Sequence, residues 1–312
     1  MTARPSGVGR VRTVFLGSGA FAVPSLRALA AHDAVDLVAV VTAPPRPAGR
    51  GLHLERSPVH EAAGAPVLTP PRLRLPDAVA AILDLDPALV VLADYGQIVP
   101  AALLDPPFGA LNLHPSLLPR HRGASPIPAA IAAGDRETGV SLMRMDAGLD
   151  TGPVVAVERL PLTGAETAPE LEERLAGLAA DLLARSLVPW IRGELPSTPQ
   201  PRDGVTLTRT LRREDGRLDP SLPATDLERR VRAYQPWPGT FLEADGERLV
   251  VGATSVVASR PDDVPGRLVR DGDLPAFTTT DGRLVLERVT PPGRRPMSGA
   301  DYLRGRRTPL AG

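Results

Sequence analysis

"VRTVFLGSGAFAVPSLRALAAH", residues 11–32, decides the fold class. Its first six residues are rich in valine, phenylalanine, leucine and threonine, the composition of a strand that packs into a core. Gly17, Ser18 and Gly19 then turn the chain. "VPSLRALAAH" follows with the periodicity of an amphipathic helix, and Pro24 suits its first turn because the missing N–H has no helical partner there. A strand, a glycine turn and a helix make the opening of a βαβ unit.

Working outward, the same texture repeats. "DLVAVVT" (36–42), "ALVVLA" (88–93) and "GALNLH" (109–114) are short apolar runs separated by helical patterns such as "DAVAAILDLD". Strands alternating with helices predict a Rossmann-like α/β domain with a mostly parallel sheet covered on both faces. "TGVSLMRMD" and "VVAVERLPL" add two strands, and "TAPELEERLAGLAADLLARSLVPWI" is the longest helix, with Leu171, Leu175, Leu178 and Leu182 on one stripe. The texture then changes. "RGELPSTPQPRDG" is rich in proline and polar residues, as linkers are. Beyond it, "RLVVGATSVVA" and "GRLVLERV" are punctuated by the Asp-Gly turns of "ADGE", "RDGD" and "TDGR", which signal antiparallel hairpins. The expected organisation is a catalytic domain over 1–195, a linker over 196–204 and a smaller β-barrel domain, OB-like, over 205–312.

Composition sets the chemistry the chain has available. It has 312 residues, no cysteine and no net charge, and all 36 of its basic residues are arginine. Disulfides, thiolate ligands and nucleophiles, Schiff-base lysines and P-loop lysines are excluded. No apolar run reaches membrane-spanning length, and the cytoplasm is the expected compartment. No metal-ligand set is found; His53 and His60, separated by a polar loop and a proline, read as surface residues.

Two motifs compete for the site. "GSGAFA" (17–22) fits a dinucleotide fingerprint, but about 20 residues later, where such sites carry a ribose-binding carboxylate, the chain reads Thr42-Ala43-Pro44-Pro45. A tight strand-to-helix turn is the better reading. The stronger motif is "LNLHPSLLPRHRGASPIP" (111–128). Asn112 and His114 stand at i and i+2 on a strand end, so their side chains share a face. In open α/β sheets that is where ligands bind. Either residue alone is as often a satisfied structural polar group. A Gly-rich loop, "MDAGLDTGP" (145–153), then offers Asp146 and Asp150. Either aspartate suits a turn cap, and either is a candidate carboxylate partner that would raise the pKa of His114. An amide donor, an imidazole and a carboxylate point to acyl or formyl transfer to an amine: Asn112 on the oxyanion, His114 with Asp150 on the proton.

With those residues in view, the chain resembles the folate-dependent formyltransferase family, and within it the members that act on methionyl-tRNA, over nearly its whole length. The resemblance rests on "FLGSGAFAVPSLRAL", "PPRPAGRGLHLERSPV", "DYGQIVP", "LNLHPSLLPRHRGASPIPAAI", "GDRETGVSLMRMDAGLDTGP" and "RAYQPWPGTF". Relatives acting on small amines share the block around Asn112 and His114. The "RPAGRG" loop and the second domain favour the tRNA branch. The resemblance implies 10-formyltetrahydrofolate as formyl donor and initiator methionyl-tRNA as acceptor, with no metal and with a monomeric enzyme. It assigns catalysis to Asn112, His114 and Asp150, and folate contacts to Ser116, Leu117, Leu118 and Pro119 with Asp94, Tyr95 and Gly96. It assigns tRNA contacts to Arg46 and Arg50. Residues 201–312, with 19 arginines against 16 acidic residues, add a modest basic bias, which suits a phosphate backbone. Three positions depart from the family pattern: Asp94 where a small residue precedes Tyr-Gly, Pro45 where the loop carries an aspartate, and Thr210 near a usual lysine.

Overall fold

The computed structural model describes residues 9–48, 53–244, 246–306 and 310. The chain packs as two compact units, one of Met1–Pro126, Glu137–Pro161 and Glu172–Thr208, the other of Ile127–Arg136, Leu162–Leu171 and Arg209–Gly312.

The first unit is built on a seven-stranded sheet. Its strands are β1 (Val11–Gly17), β2 (Val35–Val41), β3 (Val67–Leu68), β4 (Leu89–Ala93), β5 (Ala110–His114), β6 (Glu137–Arg144) and β7 (Val154–Pro161). They lie in the order β7-β6-β5-β4-β1-β2-β3. β3, β2, β1, β4 and β5 run parallel. β6 and β7 are antiparallel to their neighbours. The loop 145–153 that joins β6 to β7 is too short for the crossover that a parallel connection needs, which accounts for the antiparallel pairing of those two strands. The mostly parallel sheet expected from the sequence is therefore present, with an antiparallel edge. Phe15, Val91 and Leu111 are fully buried on its central strands. The helices α1 (Ala22–Ala30), α2 (Pro58–Ala62), α3 (Pro76–Leu83) and most of α5 (Ala168–Arg192) complete the α/β pattern, while α4 (Pro126–Ala133) falls almost wholly in the second unit. Within the first unit the Trp190 indole on α5 donates to the Phe108 carbonyl at 2.8 Å. No helix among the described residues is long and apolar enough to cross a membrane.

Chain order reverses at β1. The chain leaves β1 toward β2 and β3, then returns to lay β4 on the other side. The carboxyl ends of β1, β4 and β5 therefore open a crevice at a topological switch point, where α/β sheets take their ligands. Gly17–Gly19 follow β1 at this crevice, Asp94–Gly96 follow β4, and Asn112 and His114 end β5.

The second unit is an antiparallel sheet of β8 (Thr240–Ala244), β9 (Glu247–Val257), β10 (Leu268–Asp271), β11 (Leu274–Thr278) and β12 (Arg283–Thr290), in the order β8-β9-β12-β11-β10. Two helices accompany it, α6 (Ala224–Ala233) and α7 (Gly299–Arg304). Leu227 and Val231 of α6 pack with Leu249, Phe277, Leu284 and Leu286 into one core.

Candidate active site

β5 is buried along its whole length. Register places Asn112 beside Leu92 of β4 on one side and Met143 of β6 on the other. Pairing on both edges satisfies the backbone there, so the two polar side chains at the strand end are left to the crevice. Asn112 is 5% and His114 4% exposed.

The loop between β6 and β7 supplies the third group and separates the two aspartates. Asp146 folds back on its own loop, accepting from the Gly148 amide at 3.0 Å and the Thr151 hydroxyl at 2.7 Å. Asp150 turns the other way. Its backbone sits at φ +49°, a left-handed conformation that aspartate tolerates better than most residues. Its Oδ2 lies 3.7 Å from His114 Nδ1 and accepts from the Gly123 amide at 2.8 Å. Its Oδ1 accepts from Asn112 Nδ2 at 3.4 Å. The three residues singled out in the sequence thus meet at one point, and Asp146 is a loop cap.

The imidazole's tautomer follows from its partners. His114 Nε2 lies 2.9 Å from the His121 carbonyl. A carbonyl only accepts, so Nε2 carries the proton and the Nδ1 lone pair faces Asp150. The carboxylate at Nδ1 was expected to raise the pKa of His114. It does push in that direction, as does the bond to His121, but burial outweighs both and the net shift is downward. Near neutral pH the ring is therefore an unprotonated base. A proton arriving at Nδ1 meets a carboxylate already in place.

Of the other sequence candidates, all but Arg50 lie among the described residues. Ser116 is fully buried. Its hydroxyl donates to the Arg120 carbonyl at 2.6 Å, and its carbonyl accepts from the Ser141 hydroxyl at 2.7 Å. Ser141 Oγ in turn accepts from the Leu118 amide at 3.1 Å. Ser116 thus shapes the loop, and the half-buried Leu117 and Leu118 are its apolar surface. Pro119 is buried behind them.

Asp94, at φ +44°, holds the first turn with its backbone: its carbonyl accepts from the Ser18 amide at 2.9 Å and the Gly19 amide at 3.3 Å. Its side chain explains the second glycine, because a Cβ on Gly19 would overlap the Asp94 carboxylate. Asp94 opens to solvent at the crevice, yet the protein packed behind it raises its carboxyl pKa. Tyr95 is buried, its hydroxyl without a hydrogen-bond partner, and burial pushes its pKa up to about 12. Gly96, at φ +77°, is exposed. Arg46 is exposed on a short strand, Arg46–Ala48, paired antiparallel with His53–Glu55. Arg50 lies outside the described residues. Among the described residues no three His, Asp or Glu side chains group as a metal site would. His53 is exposed and His60 half-buried on α2.

Sequence reasoning missed the groups that hold the trio. The Gly123 amide and the His121 carbonyl carry no side-chain signal. Gln200 was equally hidden, inside a Pro-rich stretch. Its Nε2 donates to the carbonyls of Asp150 and Gly152, both at 2.8 Å, and its Oε1 accepts from Arg122 Nε at 3.0 Å and Nη2 at 2.7 Å.

Comparison with known proteins bears on what this arrangement does. Residues 11–187 match the formyl transferase family model, and residues 210–307 match that of the formyl transferase C-terminal domain. A methionyl-tRNA formyltransferase of Roseiflexus sp. (strain RS-1) is 46% identical over 303 residues, covering 95% of this chain and 93% of its own. One from Gluconobacter oxydans (strain 621H) is 45% identical over 310 residues, covering 96% and 98%. Among solved structures, HypX from Aquifex aeolicus in complex with tetrahydrofolic acid shares the fold, with a TM-score of 0.60 at 18% identity, over 95% of this chain and 47% of that one.

Proposed function

The chain belongs to the formyltransferase family, in its methionyl-tRNA branch, and from that premise we propose that it transfers a formyl group from 10-formyltetrahydrofolate to the α-amino group of initiator methionyl-tRNA, for the start of translation. The observation that carries the reading is likeness to methionyl-tRNA formyltransferases running through both domains at nearly full length.

The site residues have the chemistry the transfer needs. An α-amino group titrates at about 7.7–8.0, so a useful fraction is neutral near pH 7. Its lone pair attacks the formyl carbon, and negative charge gathers on the formyl oxygen. Asn112 Nδ2 directs one hydrogen toward Asp150 and has a second for that oxygen. The nitrogen, now cationic, gives its proton to Nδ1 of His114, and the Asp150 carboxylate stabilises the imidazolium. The bond from the formyl carbon to the folate nitrogen then breaks. That nitrogen takes a proton from the His114 imidazolium, which returns the ring to its neutral form and leaves tetrahydrofolate and formyl-methionyl-tRNA. The Leu117–Pro119 wall and the Asp94–Gly96 turn receive the folate. Arg46 and Arg50 meet the tRNA acceptor end, with Arg46 on the exposed hairpin and the second domain adding phosphate contacts. The enzyme works in the cytoplasm as a monomer.

The test offers methionyl-tRNA, free methionine and an amino-sugar nucleotide in parallel to the purified protein with formyl-labelled 10-formyltetrahydrofolate. Label in methionyl-tRNA alone is expected. Label in the amino sugar and none in tRNA overturns the choice of acceptor.

A further inference from the structure

The chain between α5 and the second unit is laced to the catalytic loops at every step. Thr198 exchanges both backbone hydrogen bonds with Val154, at 2.8 Å each, just after the Asp150 loop. Two residues on, Gln200 reaches that loop through the Asp150 and Gly152 carbonyls and grips Arg122 with its oxygen. Thr206 Oγ1 then accepts from the His121 amide at 2.7 Å, and the Thr206 carbonyl accepts from the Arg122 amide at 3.0 Å. Thr208 Oγ1 donates to the Arg122 carbonyl at 3.1 Å and accepts from the Ser125 amide at 3.0 Å. The fit is close enough that a Cβ on Gly123, itself at φ +107°, would overlap the Thr208 carbonyl.

Two loops far apart in sequence must meet for the trio to form. One carries Asp150. The other presents the His121 carbonyl to His114 and the Gly123 amide to Asp150. Gln200, which lies on neither loop, bonds to both: its amide nitrogen holds the first and its oxygen holds the residue between His121 and Gly123.

We propose that Gln200 is a positioning residue for formyl transfer, fixing the Asp150 carboxylate against Nδ1 of His114 by clamping the Asp150 loop to the 121–123 turn. It acts through Asp150, whose carbonyl it holds. The proposal rests on the formyl-transfer reading above.

Three variants test it: Gln200→Ala, Gln200→Glu and Gln200→Ala combined with Asp150→Asn. Gln200→Glu keeps the acceptors for Arg122 but has no N–H for the loop carbonyls. Each single variant should lower kcat roughly 10- to 100-fold, on the order of what a 1 Å misplacement of a reacting group costs. KM for both substrates should stay within about twofold. On the Asp150→Asn background, Gln200→Ala should cost nothing further, since residues acting as one unit do not add. The imidazole of His114, followed by NMR, should titrate at lower pH in Gln200→Ala than in wild type, because the carboxylate that favours its charged form has loosened. A role in stability alone would move the melting temperature and leave that midpoint in place. Unchanged kcat, additive losses or an unmoved His114 midpoint overturns the proposal. If Gln200→Ala does not fold, Gln200→Glu carries the kinetic and NMR arms. Mutant-to-wild-type ratios are taken on whichever amine the wild type formylates, so a wrong acceptor shows in the wild-type panel and a wrong clamp shows in the ratios.

Discussion

Asp150 Oδ2 stands 3.7 Å from His114 Nδ1, on the side of the ring that bears no proton. This spacing is longer than a hydrogen bond, as it should be between a lone pair and a carboxylate. The pair is arranged for a charge that exists only after the amine has given up its proton. An interaction of that kind favours the transition state over the ground state.

The first prediction follows from the direction of the His114 shift. Burial lowers its pKa, and the Asp150 charge opposes burial. An NMR titration should place its midpoint below the ordinary imidazole value of 6.5. In Asp150→Asn the opposing charge is gone and the midpoint should fall further. The same substitution should cut kcat severely, and His114→Ala combined with it should add little. Independent, multiplicative losses would show that the two residues do not act together.

Asn112 gives the second prediction. Its amide donates to Asp150 at 3.4 Å, and one oxyanion donor is worth ~2.7–4 kcal/mol, or roughly 10²–10³ in rate. Asn112→Ala should lower kcat by about that factor and leave the KM for folate almost unchanged, because the ground-state carbonyl asks little of it. Equilibrium binding of tetrahydrofolate, measured beside the kinetics, should match wild type. A loss of affinity equal to the loss in rate would make Asn112 a binding residue.

The pattern of what the sequence revealed has physical reasons. Strand-turn-helix periodicity is local, so the parallel sheet and its crevice were readable from apolar runs and from Gly17–Gly19. Asn112 and His114 were readable because period two sets the face a strand residue presents. Residue types alone left Asp146 and Asp150 as candidates and the family resemblance picked Asp150: which aspartate turns inward depends on a left-handed backbone that composition does not encode. The upward push of a carboxylate on His114 was readable, but the net direction was not, because burial is a tertiary quantity and here outweighs that charge. Gln200 and the Gly123 amide were invisible for the same reason. Their partners lie 27 to 78 residues away, and neither carries a periodic or compositional mark.

A third prediction concerns stability in the second unit. Arg283 is 3% exposed and forms a two-bond fork on Asp263, at 2.7 Å and 2.5 Å, while its third nitrogen reaches Asp271 at 3.1 Å. Arg283→Ala would leave the Asp263 carboxylate without its guanidinium, while Asp271 keeps Arg260, and should cost about 1–3 kcal/mol. Replacing Arg283 and Asp263 together with leucine should cost less, since no orphan charge remains. The guanidinium holds the Asp263 carboxyl below its usual range of 3.8. A depressed carboxyl stabilises the fold above its unfolded pKa and loses that contribution as pH falls through the folded value. The gap between wild type and Asp263→Asn in calorimetric melting temperature should therefore persist at pH 5 and close only below about 3.8.

The last prediction separates a tRNA enzyme from one acting on small amines. Arg46 is exposed on a two-stranded hairpin, opposite Glu55 in register, beside prolines that suit no core. Arg50 follows in the same Pro/Gly loop of the sequence. If both arginines meet phosphates or base edges at the acceptor end, Arg46→Ala with Arg50→Ala should weaken methionyl-tRNA formylation and leave folate affinity alone. Changes in this Pro/Gly stretch should hardly move the melting temperature. Each lost phosphate contact should also flatten the salt dependence of tRNA binding by about one unit of log–log slope. Arg294 and Arg295, in the arginine-rich stretch 294–307 of the second unit, should give a smaller change in the same direction when replaced. Filter binding across a salt series reads the slope, and initial rates at low and physiological salt read the function. Normal formylation by the double variant at both salts would remove the hairpin loop from the tRNA interface and shift the acceptor toward a small amine.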